Sequence, residues 1–198
     1  LWGYLKASPN GNFIALPENI FSFDKHLGKL EFYSSYSEKT NPPYGVSFSS
    51  NSEFLYYLSE SDLNIGVDIF QYNIFLRKKL RVASFNNPSR SALQLGPDNK
   101  IYVSLINRDY MGVIKKPDTQ VSGDFKNECE FSENGPRVGL NGIGGICQQG
   151  LPNFIDALRY PAKDFQYSID SCNKVKFYPV SIDSNLQWKF GDGITEFR

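Results

Sequence analysis

Short runs rich in Tyr, Phe, Val and Ile alternate with clusters of Asn, Gly, Pro, Ser and Asp along most of the chain, and helical patterning is nearly absent. Such runs, bounded by turn residues, predict strands, and their number predicts an all-β fold. Three segments repeat one another: Ser8-Pro9-Asn10-Gly11-Asn12-Phe13, Ser49-Ser50-Asn51-Ser52-Glu53-Phe54 and Gly96-Pro97-Asp98-Asn99-Lys100-Ile101. Each reads as strand, turn, strand. Pro presets φ at the second turn position, and Asn, Asp or Gly tolerate the left-handed conformation that follows. Ser49 lies 41 residues after Ser8, and Gly96 lies 47 after Ser49. Periods of roughly 40 to 50 residues belong to propeller blades of four strands each.

Within the first repeat, strands are expected near 3–7, 12–16, 20–24 and 29–34, separated by turns at Pro9-Asn10-Gly11, Pro17-Glu18-Asn19 and His26-Leu27-Gly28. The second repeat predicts strands near 44–48, 53–59, 66–73 and 79–85. The third predicts 91–95, 100–105 and 110–115, and then runs into a Gly-rich, poorly patterned stretch from Asp118 to Gly150. Four strands make one blade, so the third blade is the irregular one.

Four motifs carry a resemblance: Tyr44-Gly45-Val46-Ser47-Phe48-Ser49; Leu93-Gln94-Leu95-Gly96-Pro97-Asp98 continuing to Ser104; Met111-Gly112-Val113-Ile114 followed by Pro117; and Gly150-Leu151-Pro152-Asn153-Phe154-Ile155. In order and spacing they resemble the last blades of a β-propeller found in large exported proteins of the Bacteroidetes, of the gliding-motility-associated or type IX secretion cargo kind. In that family the propeller is commonly followed by a PKD domain, an Ig-like β-sandwich marked by an aromatic residue shortly before Phe-Gly-Asp-Gly. The string from Cys172 to Phe177, and then Trp188-Lys189-Phe190-Gly191-Asp192-Gly193, is similar to its first strands. The resemblance implies a partial propeller of about three four-stranded blades over 1–160, and over 161–198 a linker with the first strands of an incomplete PKD-like sandwich. Three blades are fewer than the four to eight of a closed propeller, so both ends are expected to be interior to a longer polypeptide. By the same resemblance Asp192 is structural, its carboxylate accepting backbone N–H groups in a tight turn.

Composition changes this picture little. Among 198 residues, 21 Lys and Arg balance 21 Asp and Glu, and 15% are aromatic. A zero formal net charge provides no basic footprint for nucleic acid or an anionic membrane. Apolar stretches such as 13–16 and 112–114 fall far short of the roughly 18 residues needed to span a bilayer. Cys129, Cys147 and Cys172 have no CxxC spacing and His26 is the lone imidazole, which argues against a zinc cluster. Three free thiols and a Cys129–Cys147 bridge with one odd thiol both remain open. Asn87-Pro88-Ser89 has the excluded Pro of a glycosylation sequon, which mildly favours a bacterial origin for an exported form.

No catalytic, cofactor-binding or metal-binding residue is assigned. His26 sits in a turn between strands, where a solvated role is expected rather than that of a catalytic base. The glycines from Gly139 to Gly145 fail the dinucleotide fingerprint and read as a loop running toward the closing strand of the propeller. Asp62, Asn64 and Asp68 alternate as calcium ligands do, yet the interleaved Leu63, Ile65 and Val67 read as a turn entering a strand. Arg77-Lys78-Lys79-Leu80-Arg81 reads as a solvated outer strand. The abundant Tyr and Phe residues invite a sugar-stacking reading, against which stands their ordinary use as inter-blade core.

The expected function is therefore a non-enzymatic binding or display module, without cofactor, in an exported, secreted or cell-surface bacterial protein. Its partners would be other protein chains, the remainder of the same polypeptide or a surface glycan, with no nucleic acid and no membrane insertion. One rival is a structural subunit of a gliding or type IX secretion assembly. The other is a propeller enzyme of lyase or lactonase type whose catalytic residues lie outside this chain.

Overall fold

The computed structural model describes residues 4–37, 44–60, 66–86, 91–138, 145–148 and 150–151, together with the strands at 165–169, 175–179, 187–189 and 195–197. The chain divides into two compact units, 1–158 and 159–198. Among the described residues every regular element is a strand.

The first unit contains three antiparallel four-stranded sheets, each in simple up-and-down order. The first is β1 (Lys6–Ala7), β2 (Phe13–Ala15), β3 (Asn19–Asp24) and β4 (Lys29–Ser35); the second is β5 (Val46–Phe48), β6 (Phe54–Glu60), β7 (Val67–Asn73) and β8 (Lys78–Phe85). The third is β9 (Leu93–Leu95), β10 (Ile101–Val103), β11 (Gly112–Ile114) and β12 (Phe131–Ser132). Their first strands lie side by side, β1 against β5 and β5 against β9. This is the arrangement of propeller blades.

The core is split between the two gaps separating the sheets. Phe13, Ala15, Ile20 and Tyr36 of the first repeat pack against Val46, Phe48, Leu55, Tyr57, Tyr72 and Ile74 of the second. Phe54, Tyr56, Leu58, Val67, Ile69, Val82 and Phe85 pack against Leu93, Leu95, Ile101, Val103, Leu105 and Ile114. Successive residues of β6 thus feed alternate cores, because side chains on a strand alternate faces. The run Phe54-Leu55-Tyr56-Tyr57-Leu58 is continuously apolar since the middle sheet is covered on both sides. Tyr57 stacks on Phe70 with ring centroids 5.1 Å apart. Where β5 approaches the third sheet, Gly45 is required: a Cβ there would stand 2.3 Å from the Ser91 carbonyl oxygen.

The repeated turn has a side-chain mechanism. In the first two copies the serine Oγ accepts the N–H five residues on, Ser8 from Phe13 and Ser49 from Phe54, both at 2.9 Å. It also donates to Asn10 or Asn51, at 2.7 Å in each copy. The outermost backbone bonds run from Ser8 N–H to Phe13 and from Ser49 N–H to Phe54, but in the third copy from Gly96 N–H to Lys100. The third turn is one residue shorter, and the corresponding N–H, that of Lys100, goes to Asp98 Oδ1 at 3.4 Å, so no serine is needed. Equivalence past the turn shifts by one: Ile14, Leu55 and Ile101 correspond, pairing with Ala7, Phe48 and Leu95 respectively. The left-handed residues are Gly11, Ser52 and Asn99, with φ of 69°, 64° and 64°. Gly11 and Asn99 are of the residue types expected there and Ser52 is not, while the residue before each, Asn10, Asn51 or Asp98, caps a downstream N–H of the turn through its side-chain oxygen.

The irregular stretch expected after 118 forms the fourth strand, β12, with sixteen residues between it and β11. Lys116 and Lys115 N–H groups donate to Cys129 and Glu130 as the chain returns. Between them, residues 117–121 dock on the second sheet through Gln71. Its Nε2 donates to the Thr119 carbonyl (2.8 Å) and to Tyr56 Oη, and its Oε1 accepts the Val121 N–H (2.8 Å). In the second unit β13 (Phe165–Ile169) pairs with β14 (Val175–Pro179), and β15 (Gln187–Lys189) with β16 (Thr195–Phe197).

Candidate functional site

Each sheet has a leading face, turned toward the preceding sheet, and a trailing face. Backbone pairing aligns the leading faces row by row. The rows are Ala7, Ile14, Phe21 and Phe32 in the first sheet; Phe48, Leu55, Tyr72 and Lys79 in the second; and Leu95, Ile101, Ile114 and Phe131 in the third. In the second and third sheets the first three residues of the row are buried in the inter-sheet cores. In the first sheet the corresponding residues face outward.

That uncovered face is broadly apolar. Phe23 pairs with Leu30 on the same side as Phe21 and Phe32, and Leu5 precedes Ala7 by two positions. Phe32 is 64% exposed, Leu5 57% and Leu30 50%. Phe21 and Phe32 meet edge-to-face, 6.1 Å between centroids.

The trailing faces begin, on each innermost strand, with a polar residue at the equivalent position: Lys6, Ser47 and Gln94, all buried. Lys6 Nζ donates to Gln94 Oε1, so the bond passes from the first sheet to the third. The Lys6 ammonium also lies 5.7 Å from the centroid of the Tyr4 ring, and Tyr4 Oη reaches the Leu151 carbonyl at 3.5 Å. The trailing row of the third sheet is Gln94, Tyr102, Val113 and Ser132. Tyr102 Oη and Lys100 Nζ donate to Asp98 at 2.9 and 2.8 Å. Partial burial alone would raise the Asp98 pKa, but these bonds outweigh it and hold the carboxyl below its ordinary range. Gly135 covers Val113, its N–H bonded to the Met111 carbonyl at 2.8 Å.

The residues singled out in the sequence are dispersed. His26 lies in the exposed turn between β3 and β4, where Asp24 Oδ1 accepts its N–H at 2.8 Å and that of Leu27 at 3.1 Å. Asp68 is committed to Arg81 Nε, 3.2 Å away, and to the Ser84 hydroxyl, while Asp62 and Asn64 lie outside the described residues. Arg77 occupies the β7–β8 turn, its guanidinium 5.0 Å from the centroid of the Tyr33 ring, and Lys78 begins the outer strand of the second sheet. Of the glycines from Gly139 to Gly145, only Gly145 is described; its N–H donates to the Val138 carbonyl. Asp192 and Cys172 are outside the described residues. Cys129 and Cys147 are buried free thiols, which removes the bridge between them. Burial pushes the Cys129 pKa up to about 11 and raises that of Cys147.

No protein-family model matches the chain, and no curated protein matches it. Among solved structures it is similar to a chain of the mitotic checkpoint complex, with a TM-score of 0.38 and 14% identity over 58% of this chain and 33% of that one. It is also similar to the extracellular domain of a protein described as a one-component system from B. thetaiotaomicron, with a TM-score of 0.38 and 10% identity over 89% and 20% of the two chains. A third is the tricorn protease, with a TM-score of 0.37 and 19% identity over 68% and 15%. The chain spans a third or less of each of these proteins.

Proposed function

We propose that the chain is a non-enzymatic binding and display module, built of blade-like sheets that engage further protein through their faces. The observation that carries this reading is the uncovered leading face of the first sheet. Its counterparts in the second and third sheets are both buried against protein. Protein is favoured over a glycan as occupant because Leu5, Ile14 and Leu30 flank the phenylalanines, and a sugar ring needs hydrogen-bonding groups beside an aromatic platform. Placement in an exported or cell-surface bacterial protein, with a PKD-like domain from 161 onward, rests on the resemblance of the ordered motifs.

Oxidative footprinting of material isolated from its source tests the reading, run before and after glycosidase treatment and beside a covalent hydrolase probe. Phe32 should be protected several-fold relative to Phe75, which is similarly exposed in the isolated chain. Glycosidases should leave that protection intact. Oxidation of Phe32 at the rate of Phe75, loss of protection on deglycosylation, or labelling by the probe would each overturn it.

A further inference from the structure

We infer that one end of the first two sheets is a docking surface for an anionic lipid bilayer, with Leu27 and Leu76 entering the headgroup layer and Lys25, Arg77 and Lys78 meeting lipid phosphates. The inference goes beyond the protein-binding reading and uses a different part of the molecule. In an up-and-down sheet the first and third turns fall at the same end. At that end Lys25 Nζ donates to the Asn10 carbonyl at 2.9 Å, and the Asn10 N–H donates to Ser52 Oγ of the second sheet at 3.0 Å. The β7–β8 turn leans back on the first sheet, Phe75 meeting Phe13 with 6.2 Å between centroids and the Arg77 guanidinium standing 5.0 Å from the Tyr33 centroid. The two outer hairpin tips therefore form one rim.

The tips are copies of each other. Asp24 Oδ1 accepts the N–H groups of His26 and Leu27, and Asn73 Oδ1 accepts those of Phe75 and Leu76 at 3.0 and 2.9 Å. A left-handed residue follows each leucine, Gly28 with φ of 62° and Arg77 with φ of 54°. Leu27 and Leu76 thus share one apex position, and they are 77% and 64% exposed. An apex that enters the interfacial layer must not carry unpaired N–H groups, because each would cost free energy away from water. Here the N–H groups behind both leucines are satisfied within the turn.

The net charge of zero is a sum over the whole chain and conceals a local excess. Residues 24–29 hold two lysines and one aspartate, whereas 73–81 hold four Lys and Arg and no acid. Lys29 is paired with Glu31 and Arg81 with Asp68, while Lys25, Arg77 and Lys78 form no ion pair among the described residues. Asp118 and Asp124 bound the patch on the side of the third sheet, where they accept the N–H groups of Asn51 and Arg81. Apolar side chains flanked by Lys and Arg are what an anionic interface selects. A convex apex also suits a surface that deforms around it, whereas a peptide or folded partner needs a recess to occupy.

Cosedimentation of the full polypeptide with vesicles tests the inference, using equimolar phosphatidylglycerol and phosphatidylcholine beside phosphatidylcholine alone. Partitioning to the anionic vesicles should exceed that to the neutral ones by roughly ten-fold or more, and should weaken as salt is raised. Leu27→Ser combined with Leu76→Ser should lower it by about ten-fold. Lys25→Gln, Arg77→Gln and Lys78→Gln together should bring it down to the neutral-vesicle level. All five positions are exposed, and circular dichroism checks that both variants fold. Ile146→Ser is the control: Ile146 is also exposed, but lies beside the β10–β11 turn at the opposite end, so the variant should bind as the parent does. Equal partitioning to both vesicle types, or a loss in Ile146→Ser as large as that of the leucine pair, would overturn the inference. So would a leucine pair that binds like the parent while the charge variant does not, which would assign the rim to a soluble polyanion. Phe75 stays exposed in lipid-free material, so this outcome and the protection of Phe32 are read separately.

Discussion

If the serine of the repeated turn is there to absorb a surplus N–H, then Ser49→Ala has a calculable cost. Ser49 is fully buried, and its Oγ is the acceptor for the N–H of Phe54, itself 2% exposed. Truncation leaves that N–H buried with no partner, a loss of about 1–3 kcal/mol. Asn51 loses one donor, but its oxygen retains the Glu53 N–H and contact with solvent. A net loss of about 2 kcal/mol follows, and in a unit of this size it lowers Tm by roughly 4–8 °C. Denaturant titration followed by far-ultraviolet circular dichroism measures it. The reverse exchange sharpens the test. Gly96→Ser installs the residue the other two copies use, yet a Cβ at Gly96 would meet the Tyr102 ring at 2.6 Å and Asp98 Oδ1 at 2.9 Å. In a turn whose Lys100 N–H already has Asp98 as its acceptor it should also destabilise, by about 1–3 kcal/mol. A Ser49→Ala variant within about 0.5 kcal/mol of the parent, or a Gly96→Ser variant more stable than it, refutes the reasoning, since surface changes without such mechanisms stay inside that margin.

Gly45→Ala should destabilise by about 1–3 kcal/mol because its methyl group collides with the Ser91 backbone, and thermal unfolding reads it directly. Gln71→Ala strands the buried Val121 N–H and the Thr119 carbonyl, so a loss of about 3 kcal/mol is expected, with hydrogen exchange accelerating in 117–121 before the strands. Burial lifts the Cys129 pKa from 9.0 to about 11, so the unfolded chain releases this proton first; stability is full below pH 9 and is lost as the pH rises through about 11. Between pH 8.5 and 10.5 the decline in unfolding free energy should be about 2 kcal/mol smaller in Cys129→Ala than in the parent, measured by denaturant titration at each pH.

The parts of the fold legible in the sequence are those whose physics is local. Turn residues recurring near residues 8, 49 and 96 announce three sheets because the bonds that need them span five residues or fewer. β12 is silent by contrast: Phe131–Ser132 is too short to carry an alternating pattern, and it forms because Lys115 and Lys116 find Glu130 and Cys129 across a long loop. Gln71 reads as an ordinary polar residue of a strand, since its partners lie 48 and 50 residues away. The third turn misleads an ungapped alignment by one residue, enough to reverse the facing of every position beyond it. Phe21, Phe23, Leu30 and Phe32 read as core aromatics and aliphatics between blades. Their chemistry supports that reading, and only the packing reveals that this core has one wall.

The two ends of the stack differ in kind, and the difference gives the module a direction. The third sheet is closed by its own chain: its strands are short, and Gly135 covers Val113 on its trailing side. That side carries the polar cluster of Asp98, Lys100 and Tyr102. The first sheet lacks it, and its exposed leading row repeats the chemistry that the two inner interfaces bury. Were the chain adapted to stand with that face in water, Phe21 and Phe32 would be the positions to carry charge, as Lys29 and Glu31 do on the same outer strand, where they pair at 2.7 Å on the exposed surface. Charge is placed on β4 where the strand meets solvent and withheld where the register of the repeat calls for a neighbouring sheet.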